Sequence, residues 1–599
     1  MKAEALFMLL KYEEIIQLCE QSLDSATMNS PATADGSEKS KNCPTGLWMW
    51  NLMAKSYFHL GMFDEFLSCL EKLEQAESVP HKSGSSTSES LGALAVTVRE
   101  LLRHKAAGSE AFQLGKHSEA VDHYTAALTC SQVSSPFAAL CYCNRAIALQ
   151  ALGKMRAALE DYKKAVEINP DLHEIQVKAA NCHLALGQID DALQYFNNSL
   201  RQGTDLCLDR KLVIEASEGL LKAQQALNFL DRCDELLGRR TSSDAEIALQ
   251  IVNKALLISP YSEKFVQMKA EALLMLLKYE EMIELCDESL DAADNNYYSA
   301  SVNSSESITN HPARLWRWGV MAKAYFYLGI LQETVGFLQK IEQAESDVQK
   351  FRSKRPESSG TLAAVRELLR HKDAGNEAFR SGRYLEAVEH YTSALSCTLE
   401  SRPFSAICFF NRAAANQALD QIADAIADCS FAIALAGDYP KALSRRATLC
   451  EMIRDYSNAA IDLQRLISEK NRNQSGRLVR STSCGVDLTE AHLRLSVVKE
   501  KAKKGIPLDM YLILGVKSSC KASDIKKAYR KAALKHHPDK APLVLPRSEN
   551  GDNRVWREIA AFVHNDADVL FKMIGEAYSV LSDPTTRSEY NKKEAAGNW

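Results

Sequence analysis

Residues 2–26, KAEALFMLLKYEEIIQLCEQSLDSA, return almost unchanged at 269–293 as KAEALLMLLKYEEMIELCDESLDAA, and this repetition decides the fold. Farther along, VRELLRHKAAGSEAF at 98–112 matches VRELLRHKDAGNEAF at 365–379 at the same distance along the chain. Apolar residues recur three and four positions apart in these segments, which indicates amphipathic helices. The first 470 residues are therefore predicted to be two copies of one helical module.

A shorter repeat of about 34 residues recurs within each copy. Small residues such as Gly108 and Gly153 stand where two helices of a hairpin must approach closely, and aromatic residues such as Tyr124 fill the gaps. Pro170 ends the second helix before the next unit. This pattern resembles the tetratricopeptide repeat (TPR), whose hairpins stack into a superhelix with a concave groove.

The composition excludes several classes of protein. A chain of 599 residues is too long for one hydrophobic core, and its net charge of -5 favours neither nucleic acid nor an anionic membrane. No apolar run approaches the roughly 20 residues that span a bilayer. The sixteen cysteines include no C-x-x-C pair, so we expect reduced, buried thiols, no metal and no cofactor. Such thiols are typical of a cytoplasmic protein, and the nucleus is a second expected location.

The repetition also bears on the first residue. Met1 aligns with Met268, which follows ISPYSEKFVQ and lies inside a predicted helix. The first copy is therefore expected to begin within a helix, as it would in a truncated or alternative start. Its apolar stretch is expected to be repeat core and not a signal peptide.

The C-terminal segment 507–599 carries a different pattern. A helix ending at residue 535 is strongly basic and runs directly into His537-Pro538-Asp539. Before it stands Tyr-x-x-Leu-Gly-Val at 511–516, and after it stands EAYSVLSDP at 576–584. This combination resembles the J domain, two antiparallel helices joined by a loop that carries His-Pro-Asp. The basic residues of the first helix are Lys526, Lys527, Arg530, Lys531 and Lys535.

The resemblance implies a partner. In J domains the basic helix docks on an acidic surface of Hsp70, and residues matching His537, Pro538 and Asp539 promote ATP hydrolysis by that partner. A nucleic-acid patch is disfavoured because no aromatic residues interleave the lysines, and His536-His537 lacks a third metal ligand at suitable spacing. Residues 541–570 separate Lys540 from Phe571 where family members commonly have far fewer residues, and this insertion leaves open the geometry of the loop and the strength of stimulation.

The second TPR copy carries a candidate carboxylate clamp. Some TPR modules hold the acidic EEVD tail of Hsp70 or Hsp90 with lysine, arginine and asparagine side chains, and the same residue types occur here in register. Spacing of i, i+4 places each pair on one helix face. The matching residues are Lys372, Asn376, Asn411, Lys441 and Arg445.

The first copy departs from this pattern. Ser109 shortens one donor, and Glu174 places a negative charge where the ligand is negative, so we expect a weak or altered clamp. The corresponding positions are Lys105, Ser109, Asn144, Glu174 and Lys178.

The predicted fold is all-α, a TPR superhelical solenoid in two homologous halves followed by a J domain. This layout resembles the TPR–J co-chaperones of the DnaJ subfamily C member 7 type. The resemblance implies a non-enzymatic co-chaperone of Hsp70 and Hsp90 with no nucleic-acid or membrane partner. The rival interpretations are a TPR scaffold that recruits Hsp70 locally to a non-chaperone complex, and an RNA-binding helical repeat. The first array is predicted to span 1–208, with an incomplete repeat at 1–26. The second array is predicted to span 209–476 and to contain the clamp module at 365–470. A linker helix at 477–506 and the J domain at 507–599 are predicted to follow.

Overall fold

The structure is a computed structural model, and every regular element that it describes is helical, which confirms the predicted all-α class. No described helix is long and apolar enough to cross a membrane. Across these residues, His, Cys, Asp and Glu side chains form no group of three or more that is suited to a metal ion. The described residues are 2–28, 44–77, 86–130, 135–169, 173–205, 210–296, 312–349, 357–397, 401–437, 439–475, 488–545 and 553–595.

The chain divides into two compact units. The first comprises 1–238, 247–269 and 289–308, and the second comprises the intervening segments and 309–599. The helices up to residue 296 are α1 (Lys2–Met8), α2 (Tyr12–Met28), α3 (Pro44–Leu60), α4 (Phe63–Glu77), α5 (Ser86–Gln113), α6 (His117–Thr129), α7 (Ser135–Ala151), α8 (Met155–Ile168), α9 (His173–Ala185), α10 (Ile189–Asp205), α11 (Arg210–Gly238), α12 (Ser242–Ile258), α13 (Glu263–Met275), α14 (Tyr279–Glu288) and α15 (Leu290–Asn296).

The remaining helices belong to the second unit, and a short 3₁₀ helix, Ala541–Val544, lies among them. They are α16 (Pro312–Tyr327), α17 (Leu331–Gln349), α18 (Glu357–Arg380), α19 (Tyr384–Cys397), α20 (Arg402–Ala418), α21 (Ile422–Ala436), α22 (Pro440–Met452), α23 (Tyr456–Ser475), α24 (Leu488–Lys503), α25 (Met510–Leu514), α26 (Ala522–Lys535), α27 (Asn553–Ser582) and α28 (Pro584–Ala595).

Helical hairpins form because small and aromatic residues alternate as the repeat predicts. Gly375 on α18 lies so close to the ring of Tyr391 on α19 that an added Cβ would be 2.7 Å from the ring. The pair formed by Gly108 and Tyr124 has the same geometry in the first copy, with a distance of 2.9 Å. Gly382 turns the chain between α18 and α19 at φ 74°, a backbone conformation that glycine adopts without a steric clash.

Helix α24 lies in the segment predicted as a linker. It packs against α23, and its residues Ala491 and Val498 are buried in the same apolar cluster as Leu463 and Leu466 of that helix. This helix therefore covers the apolar face that the last TPR hairpin would otherwise expose.

The C-terminal helices share a second apolar cluster with the TPR helices. Ile422 and Ile426 on α21 are buried in one cluster with Ile513 of α25, Ile525 of α26 and Ile574 of α27. The backbone amide of Asp509 also donates to the carbonyl of Ile453, with an N–O distance of 3.0 Å. The helices of 510–595 are thus packed directly on the second TPR module.

Most of the insertion, whose effect the sequence left open, is helical. Residues 553–570 form the first half of α27, which runs unbroken to Ser582, whereas 546–552 lie outside the described residues. We call residues 553–570 the helical extension. Ile559 and Val563 of this extension are buried in the apolar core of the TPR module. The insertion therefore adds a packing surface to the helix that follows the loop.

Candidate functional site

The His537-Pro538-Asp539 loop follows α26 and presents two side chains to solvent. The His537 side chain is 45% exposed and that of Asp539 is 79% exposed. Pro538 between them is buried, and its carbonyl accepts a hydrogen bond from Nδ1 of His564, 3.2 Å away on the helical extension. The loop is fixed at its centre and accessible at both polar residues.

Further contacts hold His537 in place. The backbone amide of Asp539 donates to Nδ1 of His537 at 3.2 Å. The His537 ring packs edge to face with the ring of Phe571, at a centroid distance of 5.4 Å. The imidazole is therefore oriented by the loop itself and by α27.

The basic helix α26 is amphipathic, as predicted. Ile525 is fully buried, and Tyr529 stacks on Tyr578 of α27 with ring centroids 4.0 Å apart. These two contacts hold one face of α26 against α27 and direct the charged face outward. The exposed basic residues on that face are Lys526, Lys527, Arg530 and Lys531.

Lys535, the fifth predicted docking residue, has a partner within the chain. Its Nζ lies 2.8 Å from Oδ2 of Asp424 on α21, and Nε2 of His536 lies 2.7 Å from the other oxygen of that carboxylate. His536 is 6% exposed. Burial acts to raise the pKa of Asp424, but hydrogen bonds from His536 and Lys535 outweigh it and lower the pKa to about 2.

Sequence reasoning missed Asp424. It stands near the start of an ordinary TPR helix, 112 residues before His536, and no local pattern connects the two. The contact also occupies Nε2 of His536, one of the two ring nitrogens through which that residue could bind a metal.

The candidate clamp is assembled from three helices. Lys372 and Asn376 lie on α18, Asn411 on α20, and Lys441 and Arg445 on α22. The Asn411 amide donates to Oδ1 of Asn376 at 3.2 Å. The Tyr391 hydroxyl donates to the same oxygen at 2.8 Å. These two hydrogen bonds orient both asparagine side chains. Neither bond uses the amide nitrogen of Asn376, which is a donor.

The cations of the clamp differ in their contacts. Arg445 lies over the ring of Phe410, 4.0 Å from its centroid, and its Nη1 donates to the Phe410 carbonyl at 2.9 Å. Lys441 is exposed one turn earlier on the same helix. Lys372 is 27% exposed, with its Nζ 3.3 Å from Asp373. This set offers positive charge and amide donors, which suit a carboxylate ligand.

The equivalent positions of the first copy are arranged differently. The Ser109 hydroxyl donates to the carbonyl of Lys105 at 3.0 Å and lies 3.1 Å from the hydroxyl of Tyr124. Lys178 pairs with Glu174 at 2.6 Å. One donor is shortened and one cation is already neutralised, which supports the expectation of an altered clamp in this copy.

Comparison with known families agrees with both patterns. The DnaJ domain family matches residues 509–591, and the tetratricopeptide repeat family matches residues 139–172. The chain is a TPR protein with a C-terminal DnaJ domain. Its architecture is that of a TPR–J co-chaperone.

Several curated proteins are similar to most of this chain. DnaJ homolog subfamily C member 7 of Homo sapiens is 27% identical over 82% of this chain and 86% of its own length. Its homologue in Dictyostelium discoideum is 27% identical over 81% of this chain and 78% of that protein. DnaJ homolog subfamily C member 3 of Homo sapiens is 22% identical over 82% of this chain and 84% of its own length. The crystal structure of the P58(IPK) TPR domain covers 68% of this chain and 99% of that chain, at 17% identity and a TM-score of 0.49.

Proposed function

We propose that this TPR–J protein stimulates ATP hydrolysis by Hsp70 through its His537-Pro538-Asp539 loop. The observation that carries the proposal is an exposed His537 and Asp539 on a loop whose central proline is buried. The exposed basic face of α26 lies next to this loop and supplies long-range attraction to an acidic partner surface. The partner carries out the hydrolysis, and this chain supplies docking and conformational bias.

Single-turnover ATP hydrolysis by Hsp70 tests this proposal. The full chain should accelerate the turnover, and His537→Gln should abolish most of the acceleration. Because His537 is half-exposed, the substitution should leave the urea unfolding midpoint unchanged. Equal rates for the two proteins would remove the proposal.

We further propose that the clamp on α18, α20 and α22 binds the acidic EEVD tails of Hsp70 and Hsp90. Two lysines and one arginine face a ligand that carries a terminal carboxylate and an aspartate side chain. Charge-assisted hydrogen bonds from Lys372, Asn376 and Arg445 would hold those groups.

Peptide titration on the full chain tests the clamp. An EEVD-ending peptide should bind the wild type, and Lys441→Ala with Arg445→Ala should weaken binding at least tenfold, which corresponds to about 1.4 kcal/mol. Lys178→Ala in the first copy is the matched control, because that cation is already paired with Glu174. Equal affinity of wild type and double variant would exclude this site.

A TPR scaffold that uses Hsp70 only locally is the rival function. It predicts Hsp70 stimulation without binding of the EEVD peptide, so the two assays above separate the alternatives. We place the activity in the cytoplasm, and also in the nucleus, because reduced buried thiols suit those compartments. Cell fractionation tests that location.

A further inference from the structure

The TPR module contacts the chain immediately before the His-Pro-Asp loop. Asp424 on α21 accepts from Lys535 and His536, the two residues that precede His537, at 2.8 and 2.7 Å. The Asp424 side chain is 15% exposed and that of His536 is 6% exposed. The Lys535 side chain is 54% exposed, so the sheltered part of the contact is the hydrogen bond between Asp424 and His536. Removing one partner of a buried hydrogen bond leaves the other unsatisfied, which is costly.

The loop is also held from its other side. His564 on the helical extension donates to the Pro538 carbonyl. Two residues along the same helix, Asp566 pairs with Arg446 of α22. The extension is thus anchored to the TPR module at a point close to where it contacts the loop.

These contacts leave the partner-facing groups free. His537 and Asp539 stay exposed, as do Lys526, Lys527, Arg530 and Lys531. A contact that served to hide the J domain would cover the loop. Asp424 instead fixes the end of α26 and the direction in which the chain enters the loop.

We propose that Asp424 is a positioning residue for the stimulation of Hsp70, holding His536 and Lys535 so that the following His-Pro-Asp loop keeps its active geometry. This inference rests on the proposed function. It makes the TPR module part of the apparatus that acts on Hsp70, in addition to its role in binding tails. A preorganised loop lowers the cost of reaching the bound geometry.

Asp424→Asn in the full chain is the principal test. The variant keeps the size of the side chain and removes its charge. The maximal single-turnover rate of Hsp70 at saturating co-chaperone should fall at least fivefold. The half-saturating concentration should change less than twofold, because the other exposed cations of α26, Lys526, Lys527, Arg530 and Lys531, are untouched. Asp424→Glu restores the charge and should recover part of the lost rate.

A matched control separates positioning from general loosening of the interface. Arg454 pairs with Glu594 on α28 at 3.0 Å, another ion pair between the TPR module and the C-terminal helices. Glu594→Gln should leave the maximal rate unchanged. Equal losses in Asp424→Asn and Glu594→Gln would mean that the contact is merely structural.

Hydrogen–deuterium exchange supplies a readout independent of Hsp70. The amides of His536, His537, Asp539 and Lys540 should exchange faster in Asp424→Asn than in the wild type, while those of α26 keep their protection. Should Asp424→Asn unfold, His536→Ala serves as the second variant, because it leaves Asp424 paired with Lys535, and the same loss of rate is expected.

The two proposals fail in different ways. A wild type that does not stimulate Hsp70 overturns the proposed function. A wild type that stimulates, together with an Asp424→Asn variant whose maximal rate is equal or higher, overturns the positioning role alone.

Discussion

Arg412 donates two hydrogen bonds to the carboxylate of Asp428, from Nε at 3.0 Å and from Nη2 at 2.7 Å. The partners are 16 residues apart, on the two helices of one hairpin. Arg145 with Asp161 and Arg446 with Asp462 repeat the same bidentate geometry. The pairs link successive helices at equivalent places in the repeat.

Removing one partner of such a pair should be strongly destabilising. Asp428 is 4% exposed and also accepts from Asn416, so Asp428→Asn leaves the part-buried Arg412 guanidinium without its counter-charge. We expect a loss of about 3–5 kcal/mol in the free energy of unfolding, measured by urea denaturation. The control is Arg383→Gln, which breaks an exposed pair with Glu386 and should cost less than about 1 kcal/mol. Similar losses in both variants would contradict this account.

Substitution of Gly375 should affect both the stability of its hairpin and the binding of a peptide at the clamp. An added Cβ would lie 2.7 Å from the Tyr391 ring, and the hydroxyl of that ring positions Asn376. Gly375→Ala should therefore lower stability by about 1–3 kcal/mol and weaken binding of an EEVD peptide. Gly108→Ala makes the same clash with Tyr124 in the first copy and should lower stability without changing peptide affinity. Urea denaturation and peptide titration on both variants check this, and unchanged affinity in Gly375→Ala would show that Tyr391 does not support the clamp.

Phe410 should restrain Arg445. Its ring lies 4.0 Å below the guanidinium, a distance typical of a cation–π contact worth about 0.5–2 kcal/mol. Phe410→Leu should free Arg445 and weaken peptide binding severalfold, whereas Phe410→Tyr keeps the ring and should bind like the wild type. Isothermal titration calorimetry measures both. Tighter binding by the leucine variant would mean that the ring withholds Arg445 from the ligand.

The Asp424 contact should depend on pH in a defined range. The pKa of this carboxyl is lowered from 3.8 to about 2 in the folded protein, so its contribution is fully present above about pH 4 and is lost as the pH falls toward 2. That contribution is about 2 kcal/mol. The stability difference between wild type and Asp424→Asn should shrink when urea unfolding is followed from about pH 5 to about pH 2.5. A difference that stays constant would show that the carboxylate gains nothing from its partners.

The buried thiols should be inert. Burial raises the pKa of Cys408 and of Cys429 to about 12, so almost no thiolate exists at neutral pH. A short exposure of the native protein to iodoacetamide at about pH 8 should leave both unmodified, and urea should make both reactive. Mass spectrometry of each peptide checks this, with the half-buried Cys520 as an internal comparison. Rapid native labelling of Cys408 would place it in an open region.

Much of the fold could be predicted because its determinants are local. Helical spacing and the recurrence of glycine opposite tyrosine specify hairpins within a few tens of residues, and Gly375 with Tyr391 confirms the rule. The loop and the basic helix were singled out by their resemblance to the J domain, and their role stays a prediction. The clamp residues lie on alternate helices, α18, α20 and α22, as the repeat predicts. Their binding of an EEVD tail stays a prediction.

What could not be predicted is contact between segments far apart. Lys535 has the same chemistry in the sequence as Lys531, and the structure alone shows that Asp424 neutralises one of them. The helical extension was different, because a signal was present. Val555, Ile559 and Phe562 follow helical spacing, and weight on that periodicity would have predicted the helix of this segment.

The apolar cluster shared by α21 and the C-terminal helices bears on how the protein can be dissected. Ile422 is 0% exposed and Ile426 is 6% exposed, and their neighbours include residues beyond 507. A chain that ended at residue 506 would expose this apolar surface, which favours self-association. The excised C-terminal segment would expose the complementary apolar surface. Truncation would then confound loss of a chaperone contact with aggregation. Single substitutions at exposed positions such as His537 and Lys441 avoid that confusion.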